Sequence, residues 1–213
     1  MTGAPRPFRG APPDQPSADG LAGSLHARLL DRRVVVVSGP LDDAVANRAA
    51  AELMTLDATG DDPVELRLDS TGGDLDPAFV LIDTLSVVGV PVQVTSLGRV
   101  EGSAIGVLAV AARRRAAPHT RFRMCEPDVS VAGSPSRLQT WAEHHRRRLE
   151  RFAEVIAGAT RRPPALVAAD LSSGRHLDAE QALAYGLIDE IWAPGAEIRR
   201  LPGPGPGFGY RPR

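Results

Sequence analysis

Lysine is absent from these 213 residues, and all 25 positive charges are arginine. That excludes a lysine nucleophile, a lysine Schiff base and the lysine of a P-loop. Cysteine occurs once, at Cys125, so neither an intrachain disulfide framework nor a cysteine-cluster zinc site can form. An excess of charge is missing too. Acids number 26 against the 25 bases, a net charge of −1, which gives no electrostatic case for nucleic acid or an anionic membrane. The longest mainly apolar run, Ile105 to Ala112, falls far short of the ~20 residues that span a bilayer. The N-terminal stretch has no apolar core of the signal-peptide kind. The expectations are a cytoplasmic protein with no membrane, no metal and no cofactor.

What is present is unevenly spread. Residues 1–20 hold five prolines and three glycines, and the C-terminal stretch runs Pro-Gly-Pro-Gly-Pro-Gly. Such segments bury too little apolar surface to offset chain entropy. Residues 1–23 and 194–213 are therefore expected to be flexible tails around one domain at 24–193, long enough for a single core.

Within the domain, apolar periods of two and 3.6 alternate. Val34 to Val37 reads as a buried strand ending at Ser38-Gly39-Pro40. Asp42 or Asp43 caps a helix that gathers Val45, Ala49, Leu53 and Leu56 on one face. Val64, Leu66 and Leu68 mark a second strand, broken at Ser70-Thr71-Gly72-Gly73-Asp74. Asp76 followed by Pro77 predicts the next helix start, with Phe79, Ile82 and Leu85 facing inward. Val90 to Leu97 predicts a third strand, Gly102 to Ala112 a small-residue helix, and Thr120 to Met124 a fourth strand. Ser134 or Ser136 opens the longest helix, to about Gly158. Its arginines are interleaved with acids and so read as a solvated or inter-subunit face. Asp178 to Gln181 predicts a capping box, Gly186 a helix end, and Leu187 to Trp192 a last strand. The class is α/β with crossovers.

Three segments carry candidate chemistry. Asp69-Ser70-Thr71-Gly72-Gly73 puts a glycine pair between strand and helix, which can present backbone N–H groups as an oxyanion hole or form an ordinary turn. Ser103, just after a strand and before a helix, reads as a nucleophile or as a plain N-cap, and local pattern favours the cap. Cys125 ends a strand with no histidine beside it in sequence, and a lone cysteine more often fills buried apolar space. Of the five histidines, His144 and His145 are adjacent on a helix and cannot converge on one metal.

Taken in order, these pieces resemble the proteolytic subunit of Clp protease, ClpP. Arg28-Leu29-Leu30, the valine strand and Ser38-Gly39-Pro40-Leu41-Asp42-Asp43 are similar to R-L-L, V-I-F-L and G-x-V/I-x-D. Ala46-Asn47 follows. Asp69 to Gly73 is similar to N-S-P-G-G, and Ile82-Asp83-Thr84 to I-Y-D-T. Pro118, Arg121 and Pro127 match P-N-S-R-V-M-I-H-Q-P, and Ala182 to Asp189 matches E-A-x-x-Y-G-L-V-D. The resemblance covers about Leu25 to Trp192.

It implies a ClpP/crotonase-like spiral of ββα units with a long handle helix at about 136–158 and a handle strand at 128–133. It implies stacked rings, made of this chain alone or with active ClpP-type subunits, and a docked AAA+ Clp ATPase. Gly73 matches the oxyanion glycine. The nucleophile motif A-A-S-M-G-A meets Val100 to Ile105. Either Ser103 is the nucleophile after a one-residue insertion, with Ala104 giving the second oxyanion N–H, or Gly102 holds that place. The histidine position falls on Cys125 and the aspartate position on Gly174. A thiol near pKa ~8.5 relays protons poorly where imidazole, at ~6.5, does it well. The expected function is a non-catalytic or strongly impaired subunit of an ATP-dependent Clp-type barrel. One alternative is an active serine-type endopeptidase using Ser103 with an unconventional base, His176 oriented by Asp178 or Asp170. A third is a crotonase-like acyl-CoA enzyme.

Overall fold

The computed structural model describes residues 18–127, 129 and 132–192. Positions 1–17 and 194–213 of the expected tails lie outside the described residues. The rest of the expected N-terminal tail, from Ala18, belongs to a helix. In chain order the elements are α1 (Ala18–Leu30), β1 (Val34–Ser38), α2 (Asp43–Thr59), β2 (Val64–Ser70), α3 (Leu75–Val87), β3 (Val92–Glu101), α4 (Ala104–Ala109), β4 (Arg113–Ala116), β5 (Arg121–Met124), α5 (Pro135–Thr160), α6 (Pro164–Ser173), β6 (Arg175–Leu177), α7 (Ala179–Tyr185) and β7 (Glu190–Ile191).

The valines of β1 pair in parallel with β2, and β2 pairs in parallel with β3. Val64, Leu66 and Leu68 are fully buried, as their alternation predicts. Asp42 accepts the Val45 N–H at 2.8 Å and starts α2, a contact of about 1 kcal/mol. Ala49, Leu53 and Leu56 are buried on that helix. The helix after β2 begins earlier than Asp76-Pro77 predicts. Asp74 stands at its N-cap without a side-chain capping bond, and Asp76 instead pairs with Arg148 of α5.

Strand β3 is the pivot of the sheet. Residues 93–96 pair with β4, and residues 99–101 pair with β5. The fork lies at Gly98, where φ is +63°. A Cβ there would come within 2.8 Å of Asp69 Oδ1, and that same oxygen accepts the Arg99 N–H at 2.9 Å. The register with β2 shifts at this point, so β3 bulges and turns. The expected strand Val90–Leu97 thus continues to Glu101. The helix expected over Gly102–Ala112 shrinks to six residues, and the arginine-rich β4, unmarked by any apolar pattern, takes the chain beyond it.

Helix α5 closes over α4, with Phe152 fully buried and edge-on to Phe79 at 6.4 Å. Gly106 permits the contact, since a Cβ there would meet the Phe152 ring at 2.3 Å. The capping box of α7 forms with both bonds, and Gly186 ends the helix at φ +85°. Of the expected handle strand, residues 128, 130 and 131 lie outside the described residues, and 129, 132 and 133 are not in a strand. The expected last strand shortens to Glu190–Ile191.

Candidate active site

The turn after β2 is built so that only glycine fits. Ser70 Oγ accepts the Gly72 N–H at 3.1 Å, and Leu41 donates to the Gly72 carbonyl at 2.9 Å. Gly72 sits at φ +78°, where a Cβ would stand 2.6 Å from the Glu101 carbonyl oxygen. At Gly73 a Cβ would stand 2.2 Å from the Leu41 oxygen. This close approach, rather than turn geometry alone, explains the pair. It aims the Gly73 N–H across to the start of α4.

That N–H is not open to a ligand. It donates to Ser103 Oγ at 3.0 Å, and Ser103 is fully buried. Ser103 has helical angles, φ −64° and ψ −23°, and makes no capping bond to its own helix. Ser103 thus stands at the N-cap position that local pattern favoured, but its hydroxyl accepts from a partner 30 positions away in sequence instead of capping α4. Ala104 follows as the buried first residue of α4.

Gly102 lies at φ +53°, and its own N–H donates to the Arg123 carbonyl at 3.0 Å. A Cβ on Gly102 would point at Cys125 Sγ, 3.6 Å away. Positions 102 and 125 face each other, whereas the Ser103 side chain is turned to Gly73. Cys125 follows the buried Met124 of β5, half-buried and outside any disulfide.

Gly174 ends α6 at φ +69°. A Cβ there would lie 3.8 Å from an Arg123 guanidinium nitrogen. A cation thus borders the place where the resemblance puts an acid, and sequence reading missed Arg123 entirely. Its alternation with buried Phe122 and Met124, two residues before Cys125, was the available signal.

The alternative base is not assembled. His176 pairs in register with Arg123 on the antiparallel β5–β6 ladder, and it lines a depression with Arg162, Gln181 and Tyr185 that includes neither Ser103 nor Cys125. Asp178 is committed to capping α7. Asp170 is buried, accepting Tyr185 Oη at 2.7 Å and Arg175 Nη1 at 3.0 Å. Among the described residues no group of three or more His, Cys, Asp or Glu is placed to hold a metal. Among the described residues no helix is long and apolar enough to cross a membrane.

The glycine-lined turn after β2 meets the start of α4 at the fork of β3, within a mixed α/β sheet fold consistent with that of ClpP-type proteolytic subunits. The family model for Clp protease matches residues 19–195, and the chain belongs to that family. It is 34% identical over 194 residues to a Streptomyces coelicolor protein named as an ATP-dependent Clp protease proteolytic subunit-like protein, covering 89% of this chain and 90% of that one. It is 29% identical over 182 residues to the ATP-dependent Clp protease proteolytic subunit 2 of Rhodococcus jostii, covering 83% and 92%. Similarity to proteolytic subunit 1 of Streptomyces coelicolor is 28% over 179 residues, covering 83% and 82%.

Proposed function

We propose that this chain is a ring-forming ClpP-type subunit that does not cut peptide bonds itself. One observation carries the reading: the Gly73 N–H, the donor that would hold a tetrahedral oxyanion, is filled by Ser103 Oγ. The remaining positions agree with it. Gly102, which faces Cys125, has no hydroxyl to attack with. With Gly102 in the nucleophile place the spacing from Gly98 needs no insertion, and the second oxyanion N–H would belong to Ser103 rather than Ala104. Cys125 offers a thiol where imidazole is needed, and Gly174 borders a guanidinium instead of supplying a carboxylate.

The magnitudes make loss of activity severe. In the serine protease subtilisin, removing the histidine alone costs about 10⁶ in kcat. Losing one oxyanion donor costs about 10²–10³. The role left to the chain is assembly, with itself or with an active ClpP-type subunit, in the cytoplasm and under a Clp ATPase. Streptomyces coelicolor has both a subunit 1 and a subunit-like protein among these relatives, which supports two kinds of chain coexisting.

The test is hydrolysis of fluorogenic peptides by the purified protein, with fluorophosphonate labelling alongside. Neither turnover nor labelling is expected. Turnover or labelling abolished by Ser103→Ala would overturn the reading in favour of a Ser103 peptidase. Co-purified coenzyme A would favour the crotonase-like alternative.

A further inference from the structure

Between β6 and α7 lies a depression of about 220 Å³ that neither Gly73 nor Ser103 lines. Its rim includes Arg162, Arg175, His176, Gln181 and Tyr185, and no acidic side chain lines it among the described residues. Two guanidinium groups lie over one aromatic ring: Arg162 is 3.9 Å from the Tyr185 ring centroid, and Arg175 is 5.3 Å from it. Holding two like charges at one ring costs energy unless something offsets it. Asp170, behind the ring, answers one of them through Arg175 Nη1. Among the described residues no carboxylate pairs with Arg162; its Nε donates to the Tyr185 carbonyl at 2.9 Å. Its remaining N–H groups are left to what enters the depression. Gln181 uses its amide oxygen on the Asp178 N–H, so its NH₂ end remains as a donor.

The polar part of the wall, beside the apolar Leu177 and Ala184, is therefore rich in donors, with Arg162 paired to no carboxylate among the described residues. We propose that this depression binds a small oxyanion, a phosphate or carboxylate group, seated on Arg162 and Arg175 and flanked by His176. Guanidinium forks match such groups in bidentate geometry. The volume is below the ~300 Å³ at which pockets for drug-sized ligands begin, so it takes one charged group rather than a large ligand. The Tyr185–Asp170 bond at 2.7 Å fixes the floor, joining α6 to α7 before any ligand arrives. An anion here would bridge Arg162, just beyond α5, to β6 and α7.

Inorganic phosphate, acetate and chloride are titrated separately into the full-length protein at fixed ionic strength, and the five imidazole resonances are followed by NMR. The resonance missing from the His176→Gln variant should shift saturably with phosphate or acetate, and not with chloride. Saturation by phosphate alone narrows the ligand to phosphate groups, and by acetate alone to carboxylates. Arg162→Gln should weaken the midpoint by about tenfold or more. The proposal fails if that resonance does not saturate, if all five move together, if chloride does the same, or if a folded Arg162→Gln binds as tightly. The His176 readout on the unmodified protein decides the matter even where Arg162→Gln does not fold.

Discussion

Replacing Ser103 by alanine removes an acceptor from a backbone donor at the edge of the core. The hydrogen bond to Gly73 is lost and the N–H must find water, at a cost of about 1–2 kcal/mol. Urea unfolding should show that loss. Gly73→Ala is expected to be worse, about 2 kcal/mol or more, because its Cβ would press on the Leu41 carbonyl. Reconstruction tests the same positions from the other side. Cys125→His alone should leave the protein unlabelled by fluorophosphonate, since position 102 still lacks a hydroxyl. The combined Gly102→Ser, Ser103→Ala, Cys125→His, Gly174→Asp variant should gain labelling. The Gly-Gly pair was legible in sequence, and the resemblance to ClpP implied that Cys125 and Gly174 stand at the histidine and aspartate positions. The direction of the Ser103 side chain was not, because it depends on two segments 30 residues apart in sequence meeting across β3.

Among the elements, α7 was read most fully in advance. Its capping box is local chemistry, a side chain and a backbone three residues apart, and both bonds form. Asp178→Ala should cost about 1 kcal/mol in unfolding experiments. What holds α7 to α6 was not legible, since Tyr185 and Asp170 are joined only by folding. Burial first, then the hydrogen bond and charge of Asp170, raise the Tyr185 hydroxyl well above its ordinary 10.0. Because the folded value is the higher one, this group's stabilisation is complete below pH 10 and is lost as the pH rises beyond it. The sequence has two tyrosines. In a Tyr210→Phe background, tyrosinate absorbance should stay absent past pH 10 and appear together with unfolding. Helix α6 itself escaped sequence reading, for its Ala-rich run has a weak apolar stripe. Strand β4 escaped because three arginines give no period of two, yet Arg114 and Arg115 are half-buried by neighbours that supply acceptors.

At the scale of the whole molecule, the chain is closed by charge. Arg114 of β4 reaches the carbonyls of Ala159 and Gly186 at 3.2 and 3.0 Å and pairs with Asp189. Burial by itself would raise the Asp189 carboxyl, but hydrogen bonds from the Arg114 side chain and backbone outweigh it and hold the group below its ordinary 3.8. Glu190 is lowered mainly by its Arg113 hydrogen bond. For depressed carboxylates the stabilisation is present above the ordinary value and lost as the pH falls through the folded one. Urea midpoints should therefore drop below about pH 4, and Asp189→Asn should flatten that acid limb. Leu138, Leu166 and Val87 remain exposed on the single chain. Light scattering on the purified protein should give a mass of many chains. A stable monomer at high concentration would restrict the proposed role to co-assembly with an active subunit.

The α/β class, the main strands and helices from β1 to α3 and the capping box of α7 were determined by the sequence by itself, because each rests on local pattern, and the resemblance to ClpP carried the family. Only the tertiary structure decided which residue faces Cys125, that Ser103 fills the Gly73 donor, and that Arg123 borders Gly174. Those contacts join β2, β3, β5 and α6, and side-chain direction at a forked strand is set by packing in three dimensions rather than by neighbours in sequence.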